Sequence, residues 1–226
     1  MIIFFRIPSE SPNMRKISLM LEETALPYVV KFVEPRKGGV LDTEFAKISP
    51  NGTTPAIVDT DTGATLFESG AILYFLAEKS GKLLPSNLGV RADVIKWLMF
   101  EAANVCPTMI ELHHYVMNDT GTIPDAIFQR YKNRLAQYCS ILDKQLEDRE
   151  YLAGQYSIAD IALYPWMVTL EDMAEINLDD YANMNGWTQA ISKRSTTQNI
   201  SQENSQKTNW CYRNGNVELC GKGGVQ

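Results

Sequence analysis

Cysteine and long apolar segments are scarce in this chain of 226 residues. Its four cysteines are widely spaced and form no CxxC pair, which argues against a disulfide framework and predicts a reducing, cytoplasmic location. No apolar run reaches about 18 residues, the length that spans a bilayer. The apolar beginning of the chain is interrupted too soon for a signal peptide. We therefore expect a soluble protein with no membrane partner.

The chain also lacks a basic segment. It carries 21 Lys and Arg against 27 Asp and Glu, a formal net charge of −6. Nucleic acid is therefore not expected as a partner. The only two histidines, His113 and His114, are adjacent in a predicted helix, where neighbouring side chains point about 100° apart. No metal site is predicted.

Strand and helix patterns alternate in the first third of the chain. Short β-rich runs, bounded by Pro, Gly or Asp turns, cover residues 2–7, 28–33, 54–59 and 64–67. Helical patterns lie between them and after them, from about residue 12 and at residues 42–48 and 68–79. This order predicts a compact α/β domain over residues 1–80.

The sequence after the first domain has helical patterns up to about residue 195. Residues 90–117 and 123–147 are predicted to be long helices, the first with a kink at Cys106-Pro107. Ser157 and Asp160 have the spacing of a capping box and predict the start of a further helix. With residues 81–89 as a linker, an all-helical domain is predicted over residues 90–195.

The end of the chain has a different composition. In residues 195–209 the only large apolar side chain is Ile200, so this segment is predicted to be disordered. The last residues contain an Asn-Gly turn and two cysteines, Cys211 and Cys220, and fit a small hairpin, a disulfide loop or a flexible extension. We predict a polar, flexible tail over residues 196–226.

The first 105 residues contain no cysteine. If the α/β domain is thioredoxin-like, any thiol at its first helix must therefore come from a ligand. Ser11 and Asn13 flank Pro12 at the start of this helix, where free backbone N–H groups and the positive end of the helix dipole would stabilise a thiolate. A simpler interpretation remains, in which Ser11 is only the helix cap.

Two further turns of the same domain carry polar groups. Thr54-Pro55 opens a strand, and a cis bond there would present the Thr54 backbone to an extended peptide. Glu68 and Ser69 begin the next helix, where first-turn amides suit an anion. Each feature alone is more often structural. Together they fit a peptide ligand with a carboxylate at each end.

Three motifs of this domain resemble the glutathione S-transferase superfamily: SPN (11–13), PNGTTPAIVD (50–59) and FESGAILYFLAEK (67–79). SIADIALYPW (157–166) extends the resemblance into the helical domain, and the bacterial Nu class is the most similar. The resemblance implies the glutathione transferase architecture, with an α/β thioredoxin-like N-terminal domain and an all-α C-terminal domain. It also implies glutathione as co-substrate and a homodimer.

The resemblance implies a role for several residues. Ser11 and Asn13 would face the thiol sulfur of glutathione, in place of the catalytic tyrosine or cysteine of other classes. Thr54, before a cis Pro55, would pair with the cysteinyl backbone of glutathione. This arrangement makes Ser11 and Asn13 the candidate catalytic residues.

The remaining binding residues follow from the same resemblance. Glu68 and Ser69 would hold the γ-glutamyl end, and Arg130 resembles a Nu-class arginine that reaches glutathione. The chain departs from the family at Val40, where glutamine is common, and at Thr53, where lysine is common. Both family residues usually help to hold glutathione, so these departures point to weaker or altered thiol binding.

These observations predict an enzyme that activates the thiol of bound glutathione for reduction of small-molecule disulfides by thiol–disulfide exchange. One alternative is a transferase that conjugates glutathione to electrophilic small molecules at the same site. An alternative of another class is a non-catalytic glutathione-transferase-like binding or scaffold protein.

Overall fold

The computed structural model of the chain describes residues 1–8, 11–34, 36–37, 40–117, 123–200, 210–213 and 216–219. The chain divides into two compact units: Met1–Leu76 with Arg194–Gln226, and Ala77–Lys193. The division differs from the predicted domain ranges because the last segment of the chain groups with the first unit. None of the helices within the described ranges combines the length and apolar character needed to cross a membrane.

The first unit has the predicted order of strands and helices, with one additional pair of two-residue strands that was not predicted. Its elements are β1 (Ile2–Arg6), α1 (Pro12–Thr24), β2 (Tyr28–Phe32), β3 (Arg36–Lys37), β4 (Val40–Leu41), β5 (Ala56–Asp59), β6 (Thr65–Phe67) and α2 (Ser69–Ser80). The main sheet has the order β2-β1-β5-β6, with β1 and β2 parallel and the other pairs antiparallel. β3 and β4 form a separate antiparallel pair. A short 3-10 helix, Phe45–Lys47, lies within the predicted helical stretch 42–48.

The buried strand β1 organises this unit. Its apolar run pairs with β2 at one edge and with β5 at the other, and side chains that alternate to both faces of the strand are buried. Phe5, Phe45 and Ala56 form a core cluster beside it. The chain leaves β1 at its carboxyl end and enters α1, which places the start of α1 at that edge of the sheet.

The predicted disorder of residues 195–209 is wrong for residues 195–200, which are helical. Arg194 donates to both carboxylate oxygens of Glu23 on α1, at 2.7 and 2.8 Å, and Thr196 Oγ1 donates to Glu23 at 2.6 Å. The side chain of Ile200 is buried. These long-range contacts offset the chain entropy that the polar composition alone leaves uncompensated.

The remainder of the predicted tail is described only in part. The backbones of β7 (Trp210–Arg213) and β8 (Asn216–Leu219) pair antiparallel, as in the hairpin alternative. Residues 201–209, the Asn-Gly turn and Cys220 lie outside the described residues, and so does Gly38-Gly39 near the start of the chain.

The second unit is helical, as predicted. Its helices are α3 (Leu88–Phe100), α4 (Cys106–Met117), α5 (Asp125–Gln145), α6 (Ile158–Met167), α7 (Leu170–Ala174) and α8 (Ala182–Ser192). The predicted helix 90–117 is interrupted by a π-helical turn, Glu101–Val105, next to the predicted kink at Cys106-Pro107. The Cys106 N–H donates to the carbonyl of Glu101, the i to i−5 pattern of a π-helix. Glu101 is buried and accepts a hydrogen bond from Trp166 Nε1 at 2.8 Å.

The predicted capping box is confirmed at the start of α6. Asp160 is fully buried, and its carboxylate accepts four hydrogen bonds. The donors are the backbone N–H groups of Leu152 (3.0 Å) and Ser157 (2.9 Å), the Ser157 hydroxyl (3.0 Å) and Trp187 Nε1 (2.9 Å). Burial raises the pKa of Asp160, while these donors lower it, and the net direction is upward. The carboxylate joins α6, α8 and the segment before α6.

Cys139 on α5 is a buried cysteine whose thiol pKa makes the stability of the fold depend on pH. Burial raises the pKa of its thiol to about 12. The thiol of an unfolded cysteine has a pKa of about 8.5. The protonated thiol therefore contributes stability below that pH, and this contribution is lost as the pH rises towards the pKa of the folded state. We therefore expect the free energy of unfolding, measured with urea, to fall less steeply with pH above about pH 9 in Cys139→Ala than in the wild type.

Native-state labelling gives an independent check of the same thiol. We expect Cys139 to resist iodoacetamide in the native protein and to react in urea, with modification measured by peptide mass mapping. Equal labelling rates in the native and unfolded chain would contradict the burial that raises this pKa.

Candidate functional site

Strand register brings three predicted turns to one edge of the main sheet. Phe5 near the end of β1 is paired with Ala56 at the start of β5, which is paired with Phe67 at the end of β6. Three segments of the chain lie beyond this row of paired residues, at the same edge of the sheet. They are the connection from β1 to α1, the segment that enters β5 and the connection from β6 to α2. The helix start at Ser11, the Thr54-Pro55 dipeptide and the helix start at Ser69 therefore share one edge.

The start of α1 has the predicted cap. Ser11 has an extended backbone, and its Oγ accepts a hydrogen bond from the Met14 N–H at 3.4 Å. Pro12 occupies the first helical position, and Asn13 follows it in the first turn. Ser11 is thus the cap of α1, as the simpler interpretation proposed. A capping hydroxyl and the first-turn amides also remain the groups that a ligand anion would meet there.

A polar cluster joins the starts of α1 and α2. Lys16 Nζ donates to Asn13 Oδ1 at 2.7 Å and to Ser69 Oγ at 3.3 Å, and Ser69 Oγ donates to Asn13 Oδ1 at 3.4 Å. Asn13 and Ser69, predicted as separate halves of the site, are therefore neighbours. Lys16 was not predicted from the sequence, because a lysine near the start of a helix is ordinarily exposed to solvent.

The Thr54-Pro55 peptide bond is cis, as the resemblance implied. The turn before it is held by Ser49, whose buried hydroxyl donates to the Thr53 carbonyl at 2.9 Å and accepts from the Thr53 N–H at 3.3 Å. Gly52 has a positive φ of 62°, which favours glycine. Thr54 Oγ1 contacts Met14 Sδ at 3.9 Å, which brings this loop against the start of α1.

Glu68 has an unusual backbone for a residue with a side chain. Its φ is 69°, in the left-handed region, and its carbonyl accepts the hydrogen bond from the Ile72 N–H that begins α2. This conformation costs about 1–3 kcal/mol in a non-glycine residue and concentrates at functional sites. The exposed Glu68 side chain stands directly before the half-buried Ser69.

Arg130 lies in the second unit, on the exposed side of α5. It lines a cavity of about 230 Å³ together with Tyr115, Ile127, Tyr131 and Arg134. Two arginines and two tyrosines make this cavity suitable for an anionic or aromatic group. The part of Arg130 in glutathione binding stays a prediction.

The two departures from the family pattern have different positions. Thr53 has an exposed side chain, while its backbone is tied to Ser49. Val40 pairs with Lys37 in the short β3–β4 ladder. A lysine at position 53 would therefore stand in solvent beside the cis-proline turn, and threonine there leaves the turn itself intact.

Comparison with known proteins identifies the family of the chain. The model of the glutathione S-transferase N-terminal domain matches residues 10–79, and that of the C-terminal domain matches residues 105–195. The disulfide-bond oxidoreductase YfcG of Escherichia coli (strain K12) is 40% identical over 193 residues, which are 83% of this chain and 89% of that protein.

Two solved structures extend the comparison. A glutathione transferase from Pseudomonas putida, with one glutathione disulfide bound per subunit, is 31% identical with a TM-score of 0.79, covering 88% of this chain and 89% of its own. One from Burkholderia graminis, with two glutathione molecules bound per subunit, is 32% identical with a TM-score of 0.79, covering 88% and 86%. The chain belongs to the glutathione S-transferase superfamily, and it has the thioredoxin-like N-terminal domain and helical C-terminal domain of that superfamily.

Proposed function

We propose that the protein is a glutathione-dependent enzyme that reduces small-molecule disulfides. The observation that carries this proposal is the polar cluster of Asn13, Lys16 and Ser69 at two converging helix starts, in a unit whose first 76 residues contain no cysteine. Such a cluster offers hydrogen-bond donors to a thiolate, and none of its three residues is a cysteine, so we infer that the thiol is supplied by a ligand. The similarity to YfcG, a disulfide-bond oxidoreductase, supports disulfides as the second substrate.

The proposed reaction consists of two thiol–disulfide exchanges. The thiolate of bound glutathione attacks one sulfur of the substrate disulfide, a new sulfur–sulfur bond forms, and the other substrate sulfur leaves as a thiolate. A second glutathione thiolate attacks the glutathione sulfur of this mixed disulfide and releases the second substrate thiolate. Two electrons pass from two glutathione thiols to the substrate, and glutathione disulfide is the product.

The residues of the chain bind and activate glutathione in this proposal. Ser11 and Asn13 donate to the sulfur and lower its pKa, which raises the thiolate fraction near neutral pH. The Thr54 backbone before Pro55 pairs with the cysteinyl unit, as in strand addition. Glu68 with Ser69 binds the γ-glutamyl end. In the helical unit, Arg130 supplies a cation for a glutathione carboxylate.

Three finer assignments belong to the same proposal. Membership of the Nu class is supported by the Ser-Pro-Asn motif, because serine keeps the hydroxyl of the Thr-Pro-Asn of that class. A homodimer is inferred from the superfamily, and a monomer in light scattering at micromolar concentration would contradict it. A cytoplasmic location is inferred from the sparse, widely spaced cysteines.

The test is a pair of measurements on the wild-type protein. We expect calorimetric titration to show glutathione binding, and we expect glutathione-dependent turnover of bis(2-hydroxyethyl) disulfide in an assay coupled to glutathione reductase. S-methylglutathione, which has no free thiol, is the matched control and should bind without supporting turnover.

Each alternative function corresponds to a different result. Glutathione binding with conjugation of aryl halides but no disulfide turnover would favour the transferase. No glutathione binding at millimolar concentration would favour the non-catalytic protein and contradict both enzyme assignments.

A further inference from the structure

Lys16 is the least expected residue of the candidate site. Its side chain is 0% exposed, although it lies on α1 only one turn after Asn13. Lysine is among the residue types that are rarely fully buried, because removing an ammonium group from water is costly unless hydrogen bonds compensate. An apolar side chain would fill the same space without that cost. A buried lysine at this position therefore calls for an explanation beyond packing.

The hydrogen bonds of Lys16 determine the orientation of the Asn13 amide. An ammonium group only donates, so the Asn13 atom at 2.7 Å from Nζ must be the carbonyl oxygen and cannot be the amide nitrogen. Ser69 Oγ also approaches this oxygen, at 3.4 Å. With Oδ1 held by two neighbours, the NH₂ group of Asn13 points to the other side of the carboxamide.

This orientation matches the need of a thiolate. A thiolate accepts hydrogen bonds and repels a carbonyl oxygen, so only one of the two amide orientations of Asn13 stabilises it. The correct orientation presents a donor in the first turn of α1, where the helix dipole also favours negative charge. The opposite orientation would present an acceptor and raise the thiol pKa.

Lys16 also contacts the second half of the site. Ser69, which accepts from Nζ at 3.3 Å, is the first residue of α2. The ammonium group thus lies between two helix starts, both of which carry partial positive charge. From this position the ammonium group bonds the Asn13 carbonyl oxygen and the Ser69 hydroxyl at the same time, and so ties the two helix starts together.

We propose that Lys16 is a positioning residue that holds the Asn13 amide with its NH₂ towards the glutathione sulfur and thereby lowers the pKa of the bound thiol. This inference rests on the proposed function, because it assumes that glutathione occupies the site. Lys16 does not touch the sulfur. It acts through Asn13, and it keeps Asn13 and Ser69 in register across the two helices.

The test compares Lys16→Met with the wild type and with Lys31→Met. Methionine keeps the length of the side chain and removes the ammonium group, and Lys31 is an exposed lysine of the same unit, on β2. The thiol pKa of bound glutathione is measured by the ultraviolet absorbance of the thiolate and by the pH profile of kcat/KM. Circular dichroism and thermal melting check that each variant is folded.

We expect Lys16→Met to raise the bound thiol pKa by about one unit or more and to lower kcat/KM about tenfold at about pH 6.5, with recovery at high pH. Lys31→Met should keep the wild-type profile. A wild-type thiol pKa in folded Lys16→Met would overturn the assignment of Lys16. A loss of melting temperature in Lys16→Met with no shift of the pH profile would likewise make the residue purely structural.

A double-mutant cycle tests whether Lys16 acts through Asn13. In the background of Asn13→Ala we expect Lys16→Met to shift the bound thiol pKa by less than a third of its effect in the wild type, because the amide that it orients is gone. An equal shift in both backgrounds would overturn the positioning role. A wild-type protein that binds glutathione without lowering its thiol pKa would overturn the proposed activation together with the role of Lys16.

Discussion

Replacing Asp160 by alanine is expected to destabilise the protein by about 4 kcal/mol or more, a very large effect for a single substitution. The carboxylate accepts from two backbone N–H groups, one hydroxyl and one indole, and alanine leaves all four donors without this acceptor. Each buried donor that loses its partner costs about 1–3 kcal/mol, although the Ser157 hydroxyl can rotate to find another. The side chain is fully buried, so water does not replace the lost acceptor.

The effect is measured by thermal unfolding followed by circular dichroism. For a chain of this size we expect the melting temperature of Asp160→Ala to fall by about 10 °C. The matched control is Asp148→Ala, at an exposed aspartate of the same unit, which should change it by about 1 °C or less. A small shift in Asp160→Ala would show that the four donors find other acceptors.

Asp160→Asn separates hydrogen bonding from volume. The asparagine side chain has nearly the same size but places an NH₂ group where one carboxylate oxygen accepted. We expect a melting temperature between those of the wild type and Asp160→Ala. An NH₂ group in place of Oδ2 can donate to the Ser157 hydroxyl but faces the Ser157 N–H, and an NH₂ group in place of Oδ1 faces the indole N–H of Trp187.

Asn13→Ala is expected to lower glutathione-dependent disulfide turnover about 100-fold, the size of effect seen when a preorganised donor to a developing or bound anion is removed. Asn13 lies in the first turn of α1, and Lys16 holds the carbonyl oxygen of its side-chain amide. Glutathione binding should persist within a few-fold, because the Thr54 backbone and the start of α2 lie on other elements. Steady-state turnover and calorimetric titration on the same preparation separate the two effects.

Two variants make this prediction specific to Asn13. Asn13→Asp keeps an oxygen for Lys16 but sets a negative charge beside the sulfur, so we expect turnover at least as low as in Asn13→Ala. Asn87→Ala is the matched control: Asn87 is an exposed asparagine cap, bonded to the N–H groups of Gly89 and Val90 at the start of α3. Its removal should cost about 1 kcal/mol of stability and leave turnover unchanged. Full turnover in Asn13→Ala would contradict the role of this amide.

Much of the fold could be predicted from local sequence patterns. The apolar run of β1, the Ser-Pro start of α1 and the turn before β6 each determine their own boundaries within a few residues. The capping box of Ser157 and Asp160 was predicted as a helix start, and it is one. What this pattern did not reveal is that Asp160 also accepts from Leu152 and Trp187, residues brought to it by other segments.

The candidate site was predictable as three separate turns. Ser11, Thr54-Pro55 and Ser69 were each recognised by their position next to a predicted strand or helix. Their common location follows from strand register, since Phe5, Ala56 and Phe67 form one row across the sheet. No single turn contains that information, because register is a property of pairs of strands.

The class of fold, the helix starts and the absence of cysteine in residues 1–105 follow from the sequence alone, because they depend on composition and on neighbours a few residues apart. Three other features follow only from tertiary contacts: Lys16 is buried against Ser69, Glu23 pairs with Arg194, and residues 195–200 are helical. Each of these joins residues more than 50 positions apart or depends on such a contact. The burial of a charged side chain depends on what packs over it, so a lysine in a helix reads as exposed until its distant partner is known.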